Sequence, residues 1–562
     1  MKIFYPLITL LLSSSLMAQL LPPDTVWVEQ TLNKMTLDEK IGQLFMPVHR
    51  DTAATLAMIR KFNIGGIWFA RSEAKKIAAE LNTLQQASKY PLLVSADFEK
   101  GAGTYVDGAT DLPANMALGA SRDPSAAYRS AALTAKEARA IGVDIDFAPV
   151  LDVNNNPENP IINTRSFGEN PVLVAALGTA AVKGYQENGL LATGKHFPGH
   201  GNTKTDSHAQ LGAIDSSPEE FHRIELFPFK AAINNAHPSA IMSEHMWIKA
   251  IDADTVPATL SKNVMTNLLR DTLHFNGVVY TDAMVMGGIS SRYSFDTAVV
   301  KAIQAGCDVI LFPGDLEKGI NTLKQAVQSG EISEERINES VRRILLSKTE
   351  VGLQKERLVD VEKIPSVVGT EENYREAKAI AAECITLAKD EKHLVPLRPS
   401  QKVVVFTMTN KSGNSMQSRG LISFPDEMKA FNASTIDYRL PETVTPDEAE
   451  KAVAAARNAD VVVVSAYIKI VIASGTVDLP KEGADFLGAL VKENPNVILV
   501  SFGNPYIGGT VPEIPTYICA YDNAKALQAV TAEALYGKIP FRGKLPVTIS
   551  DAMRFGTGLA GK

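Results

Sequence analysis

The stretch "LLATGKHF", residues 190–197, joins an apolar, β-branched strand body to a lysine and a histidine at its C-terminal end. Seven other runs of the same kind accompany it: "IGQLFMPV" from 41, "IGGIWFA" from 64, "PLLVSADF" from 91, "VDIDFAPVLDV" from 143, "AIMSEHMW" from 240, "GVVYTDAM" from 277 and "CDVILFPG" from 307. Each passes into a polar or glycine-containing loop and then into a helical pattern. Strands alternating with helices make a parallel sheet, and eight such units within about 300 residues imply a closed (β/α)8 TIM-type barrel. An open doubly wound sheet is the alternative arrangement. Asp97, Asp152, His196, Glu244, His245 and Asp282 each follow an apolar strand body. That is the rim where barrel enzymes assemble their sites, and a purely structural barrel has no need of charge there.

By length, 562 residues would hold roughly three or four domains, a count that a barrel lowers. We read residues 1–18 as a signal peptide, 25–355 as the barrel, 356–372 as a linker and 373–562 as a smaller α/β sandwich. The second unit has strand-like runs at "KVVVFTMT", "ADVVVVSAY", "NVILVSFGNP" and "TYICAYDN", with "RGKLPVTIS" as a last strand.

The first eighteen residues, "MKIFYPLITLLLSSSLMA", place one lysine before an apolar core that ends in small residues, the pattern of a secretory signal. A single membrane anchor is the alternative, but the apolar stretch is short for a span and Ser13 to Ser15 interrupt it. No cysteine follows the core, so a lipoprotein anchor is not expected. The expectation is an exported protein, periplasmic or secreted, with no stable membrane insertion after signal cleavage. The net charge of -7 comes without a basic run, which removes nucleic acid from the expected partners. Cys307, Cys384 and Cys519 are odd in number and far apart in apolar contexts, so they read as buried free thiols.

"KHFPGHGNTKTDSHAQ", residues 195–210, concentrates three of the nine histidines. His196 and His200 stand four apart, as in helical zinc motifs, but Pro198 and Gly199 lie between them and disfavour a shared helical face. No glutamate follows His196 to activate water, so a metal site is not expected. Asp206 and His208 are two apart in a Gly, Asn, Thr and Ser-rich segment, where extended backbone points both side chains the same way. A carboxylate bonded to one imidazole nitrogen fixes the tautomer and leaves the other for proton transfer, although such pairs also occur on surfaces. Asp282 emerges from the seventh strand as either a functional carboxylate or a cap on the following helix.

Taken together, "KHFPGHG" with "DSH", the upstream "NTRSFGENP", "SADFEKG" after strand three and "TDAM" after strand seven resemble glycoside hydrolase family 3, in its β-N-acetylglucosaminidase branch. The similarity runs from roughly residue 28 to 550, with five motifs in order. The resemblance implies a retaining mechanism with Asp282 as nucleophile, His208 as general acid/base and Asp206 orienting it. It further implies that Asp97, Arg165, Lys195 and His196 bind the hydroxyls of the terminal sugar, with His245 as a further binding residue; His200, two residues after Pro198, reads as a shaper of the loop. One departure stands out: where the family has an arginine four residues past the glycine of its "DxExG" motif, this chain has Tyr105.

The implied activity is exo-β-N-acetylglucosaminidase action on peptidoglycan fragments or chitooligosaccharides, with a carbohydrate as partner and no metal or organic cofactor. A family 3 β-glucosidase or β-xylosidase, a phosphorylase using the same dyad, and a non-catalytic sugar-binding protein are the competing readings.

Overall fold

The computed structural model describes residues 19–410, 421–441, 443–469 and 479–561, and in it the eight runs form a ring of parallel strands. The signal-peptide reading falls on residues 1–18, outside the described residues. The first strand is two short pieces, Phe45–Met46 and Val48–His49, on either side of Pro47. The others are Gly66–Phe69, Leu93–Ala96, Ile145–Asp146, Leu191–Phe197, Ala240–Ser243, Val278–Tyr280 and Ile310–Leu311. Val48–His49 pairs with the second strand, Phe45–Met46 pairs with the eighth, and a Tyr280–Val309 bridge joins the seventh to the eighth. The ring is therefore closed, which distinguishes a barrel from the open doubly wound sheet.

Local sequence explains how the units alternate. Asp51, Asp123, Asn170, Ser217, Ser294 and Asp315 each accept a backbone N–H at a helix N-terminus, and the second, third and fourth of these stand directly before a proline. Such caps satisfy donors that the helix itself leaves open, and proline at the first helical position gives up no needed N–H. "IGQ" at the head of the first run is not strand but the end of the helix Leu37–Gln43, started by a capping box between Thr36 and Glu39.

At the end of the barrel away from the rim, Asp308 is fully buried where the eighth strand begins. Its Oδ2 accepts from Arg270 at 2.6 Å and from the Val279 N–H at 2.9 Å, while Oδ1 accepts from Ser340 at 2.6 Å and Arg343 at 3.0 Å. Arg343 and Ser340 belong to the helix Glu334–Glu350, so this carboxylate ties the last helix to the seventh and eighth strands.

A second sheet has the strand order Thr386–Asp390, Thr516–Cys519, Val497–Ser501, Val461–Tyr467, Val403–Thr409, Ile436–Arg439, parallel throughout except at its first strand. The two edge strands were not read from sequence. Conversely, "RGKLPVTIS" is not a strand: Lys544 N–H donates to the Ala120 carbonyl, Glu169 N–H donates to the Pro546 carbonyl, and Thr548 N–H donates to the Glu169 side chain. Pro546 has no N–H for a ladder, and the segment instead ties the second domain to the barrel. The stretch expected as a linker holds a 3-10 helix, Val361–Ser366, and runs into the helix Glu371–Cys384. The three cysteines are buried free thiols. No helix among the described residues is long and apolar enough to cross a membrane.

Removing the buried Asp308 charge leaves Arg270 and Arg343 without their counter-ion. We expect Asp308→Ala to lower stability by about 3–5 kcal/mol in urea denaturation. Burial alone would raise this carboxyl, but the guanidinium groups hold it at about 2, against 3.8 for an ordinary aspartate. Its contribution is therefore complete above pH 3.8 and is lost as the pH falls through about 2.

Candidate active site

A cavity of about 430 Å³ opens at the C-terminal ends of the strands. Its wall includes Asp97, Arg165, Lys195, His196, His208 and Asp282, so the structure brings six of the eight sequence-derived candidates to one space. The apolar part of the wall comes from Ile161, Ile162, Met242, Val285, Met286 and Phe312.

The polar half is a connected ladder. Lys195, at the end of the fifth strand and 2 % exposed, donates to Asp97 Oδ1 at 2.6 Å and lies 2.8 Å from Glu99 Oε1. Glu99 also receives Arg165, whose Nη2 donates to Oε1 at 2.7 Å and whose Nε donates to Oε2 at 3.0 Å. Burial would raise Glu99 and lower Lys195, but each is driven the other way by its partners, so both stay charged at neutral pH. The second oxygen of Asp97 accepts from Trp68 Nε1 at 2.9 Å, and Tyr105 packs edge-on against that indole with centroids 5.6 Å apart. Tyr105 thus helps to wall the cavity beside Asp97 where the family's arginine was expected.

His196 Nδ1 is 2.7 Å from Asp152 Oδ2, and Arg165 Nη2 lies 3.4 Å from its other ring nitrogen. Asp152 also accepts from the His200 backbone N–H at 2.7 Å. Burial opposes ionisation of Asp152, but the His196 ring outweighs it and the carboxyl stays below its ordinary value. The His200 ring is pushed down to about 4 by burial, so it is neutral, and its Nε2 is 2.8 Å from Ser207 Oγ. Both rings of the spacing tested for zinc are thereby engaged with protein groups, and Leu191–Phe197 is a strand rather than a helix.

The Asp206–His208 pair is formed. Asp206 is 5 % exposed, and its Oδ1 lies 2.9 Å from His208 Nδ1 and accepts the His208 backbone N–H at 2.8 Å. Nε2 of His208 makes no hydrogen bond among the described residues and belongs to a side chain on the cavity wall. The loop is fastened to the segment after Asp282: Gly287 N–H donates to the His208 carbonyl and Gly288 N–H to the Ser207 carbonyl, at 3.0 and 2.9 Å. Asp282 accepts from the Ala283 N–H at 2.7 Å and caps no helix. Burial pushes its carboxyl up, but His196, His245 and His208 draw it below the usual range, which keeps it an anion. His245 differs from expectation. It is fully buried behind the wall, with Nδ1 2.8 Å from Thr259 Oγ1 and Nε2 3.2 Å from the Ala283 carbonyl, so it braces the Asp282 turn rather than facing the cavity.

Sequence reasoning left Glu99, Asp152 and His200 outside the candidate set. Glu99 had a signal, since it stands two residues from Asp97. Asp152 had one in its place at the end of the fourth apolar run. Asp522, which joins the wall from the second domain, had none.

A closed barrel whose rim cavity pairs an ionised carboxylate and an Asp–His dyad with buried cations and carboxylates is a site built for polyhydroxylated ligands and for proton transfer. The family model for the glycosyl hydrolase family 3 N-terminal domain matches residues 36–346, and that for the C-terminal domain matches residues 385–555. The chain belongs to glycoside hydrolase family 3. It is 32% identical over 540 residues to a β-N-acetylglucosaminidase/β-glucosidase of Cellulomonas fimi, covering 93% of this chain and 95% of that one. A family 3 β-N-acetylglucosaminidase from Paenibacillus sp. str. FPU-7 superposes with a TM-score of 0.85 at 33% identity, covering 92% of this chain and 99% of the other. The β-glucoside phosphorylase BglX superposes with a TM-score of 0.84 at 28% identity, with 94% and 97% covered.

The fastening of the dyad loop gives a test that spares every polar side chain of the site. A Cβ at Gly287 would stand 2.2 Å from the Ala209 carbonyl oxygen and 2.9 Å from that of His208. Gly287→Ala should therefore displace the loop and lower kcat on an aryl glycoside about 10²-fold, with the melting temperature little changed.

Proposed function

We propose that this chain is an exported, retaining exo-β-N-acetylglucosaminidase that removes terminal N-acetylglucosamine from peptidoglycan fragments or chitooligosaccharides. The observation that carries the mechanism is that Asp282 and the Asp206-bonded His208 share one cavity wall. The names of the Cellulomonas and Paenibacillus relatives support the sugar.

In the first step, Asp282 attacks the anomeric carbon while Nε2–H of His208 protonates the leaving oxygen, giving a glycosyl-aspartate ester, a free aglycone and a neutral imidazole. In the second, that imidazole takes a proton from water, the water oxygen attacks the anomeric carbon, and Asp282 leaves as carboxylate. Asp206 holds the ring so that the same nitrogen serves both steps. Lys195, Asp97, Arg165 and His196 bind the sugar hydroxyls in this scheme. The buried ion pairs that fix them keep the binding geometry preformed.

Phosphorolysis is a second reading, favoured by two features. An imidazole acid/base repels an incoming phosphate less than a carboxylate would, and BglX, of the same fold and length, is described as a phosphorylase. Sugar 1-phosphate as the main product in phosphate buffer would establish it, and free sugar alone would exclude it.

Asp282→Ala should cut turnover of an aryl N-acetyl-β-glucosaminide by about 10³-fold or more, and near-native activity would remove the assignment. Because the surrounding imidazoles lower the Asp282 carboxyl, the acid limb of kcat/KM is expected below the ordinary aspartate value of 3.8.

A further inference from the structure

The second domain places one charged side chain on the cavity wall. Asp522 lies just beyond the strand Thr516–Cys519 and meets Lys100, which follows the third barrel strand. Lys100 Nζ donates to Asp522 Oδ2 at 3.0 Å and lies 3.4 Å from Asp111 Oδ1. Asp522 Oδ1 is 3.5 Å from Lys469, which also donates to Asn523. With side chains 11% and 7% exposed, Lys100 and Asp522 form a buried pair rather than a surface contact.

An ammonium has three N–H donors. Among the described residues Lys100 makes a single hydrogen bond, since its approach to Asp111 is an ion pair in which Oδ1 accepts none. Burying a cation with donors left over is costly unless a ligand supplies the acceptors, and here the cation borders a cavity.

The ring order indicates which part of a ligand would do so. Lys100 follows the third strand and Asp282 the seventh, so they face each other across an eight-stranded ring. In a pyranose, C4 stands across the ring from C1. A sugar whose C1 meets Asp282 therefore turns its C4 hydroxyl toward the third-strand side of the cavity, where both Asp97 and Lys100 lie on the wall. This step rests on the activity proposed above.

We propose that Lys100 and Asp522, one from each domain, close the cavity beyond C4 of the terminal sugar and hydrogen-bond its 4-hydroxyl, Lys100 donating to the oxygen and Asp522 accepting the proton. The second domain is then part of the recognition site, and the wall limits the enzyme to one terminal sugar because it occupies the space a 4-linked residue would need.

The test compares an aryl N-acetyl-β-glucosaminide with its 4-deoxy analogue, using wild type, Lys100→Met and the isosteric Asp522→Asn. Wild type should lose about 10- to 100-fold in kcat/KM on the 4-deoxy sugar, and Lys100→Met should lose a similar factor on the normal sugar but less than about threefold on the analogue. Asp522→Asn should show the same pattern with a smaller loss, and it carries the comparison if Lys100→Met does not fold. Equal losses on both sugars would overturn the proposal, because they would assign the pair to domain docking alone. No loss on either would overturn it too. A wild type inactive on the aryl N-acetylglucosaminide would instead overturn the activity on which the proposal rests.

Discussion

The site depends on one buried cation. Lys195 has lost almost all contact with water, and its ammonium is tolerable there only because Asp97 and Glu99 both reach it. From that contact the constraints pass side chain by side chain. Glu99 grips Arg165, Arg165 meets His196, and His196 meets Asp152. Asp152 holds the His200 backbone, and the His200 ring holds Ser207, whose carbonyl receives Gly288 from the segment that follows Asp282. The ladder thus crosses from the third strand to the seventh, linking the side of the cavity rich in cations and carboxylates to the dyad loop and to Asp282.

Such a ladder is rigid because none of its members can relax alone. Each carboxylate is shared by at least two donors, so displacing one exposes a buried charge elsewhere. The barrel supplies the frame, with strand ends fixing where each side chain leaves the sheet. The second domain adds a wall, held by the segment around Pro546 and by the Lys100–Asp522 contact. In the proposed mechanism, this frame lets a half-buried Asp282 stay ionised, while its unbonded oxygen remains available to an anomeric carbon.

The barrel was legible because its signal is local and repeated: an apolar run, a polar end and a helical segment, eight times over. The edge strands of the second sheet were not, since all four residues of Ile436–Arg439 are exposed and "TLAKD" has too few apolar positions to stand out. "RGKLPVTIS" misled because its β-prone residues suit a ladder, while its hydrogen bonds go to the barrel. At the site, Asp206 and His208 could be paired by spacing alone, whereas Asp522 meets Lys100 across 422 positions of chain and no local pattern encodes that. His245 stands at a strand end like the others, and only packing shows that its ring turns toward Thr259 and away from the cavity.

The most direct measurement of the central claim is capture of the intermediate. The protein would be incubated with an activated fluoro-sugar analogue of N-acetylglucosamine that glycosylates quickly and deglycosylates slowly, then digested and mapped by mass spectrometry. The account predicts one stoichiometric sugar adduct, on the peptide containing Asp282. An adduct on a different carboxylate, or steady consumption of the analogue with no adduct at any stage, would contradict it.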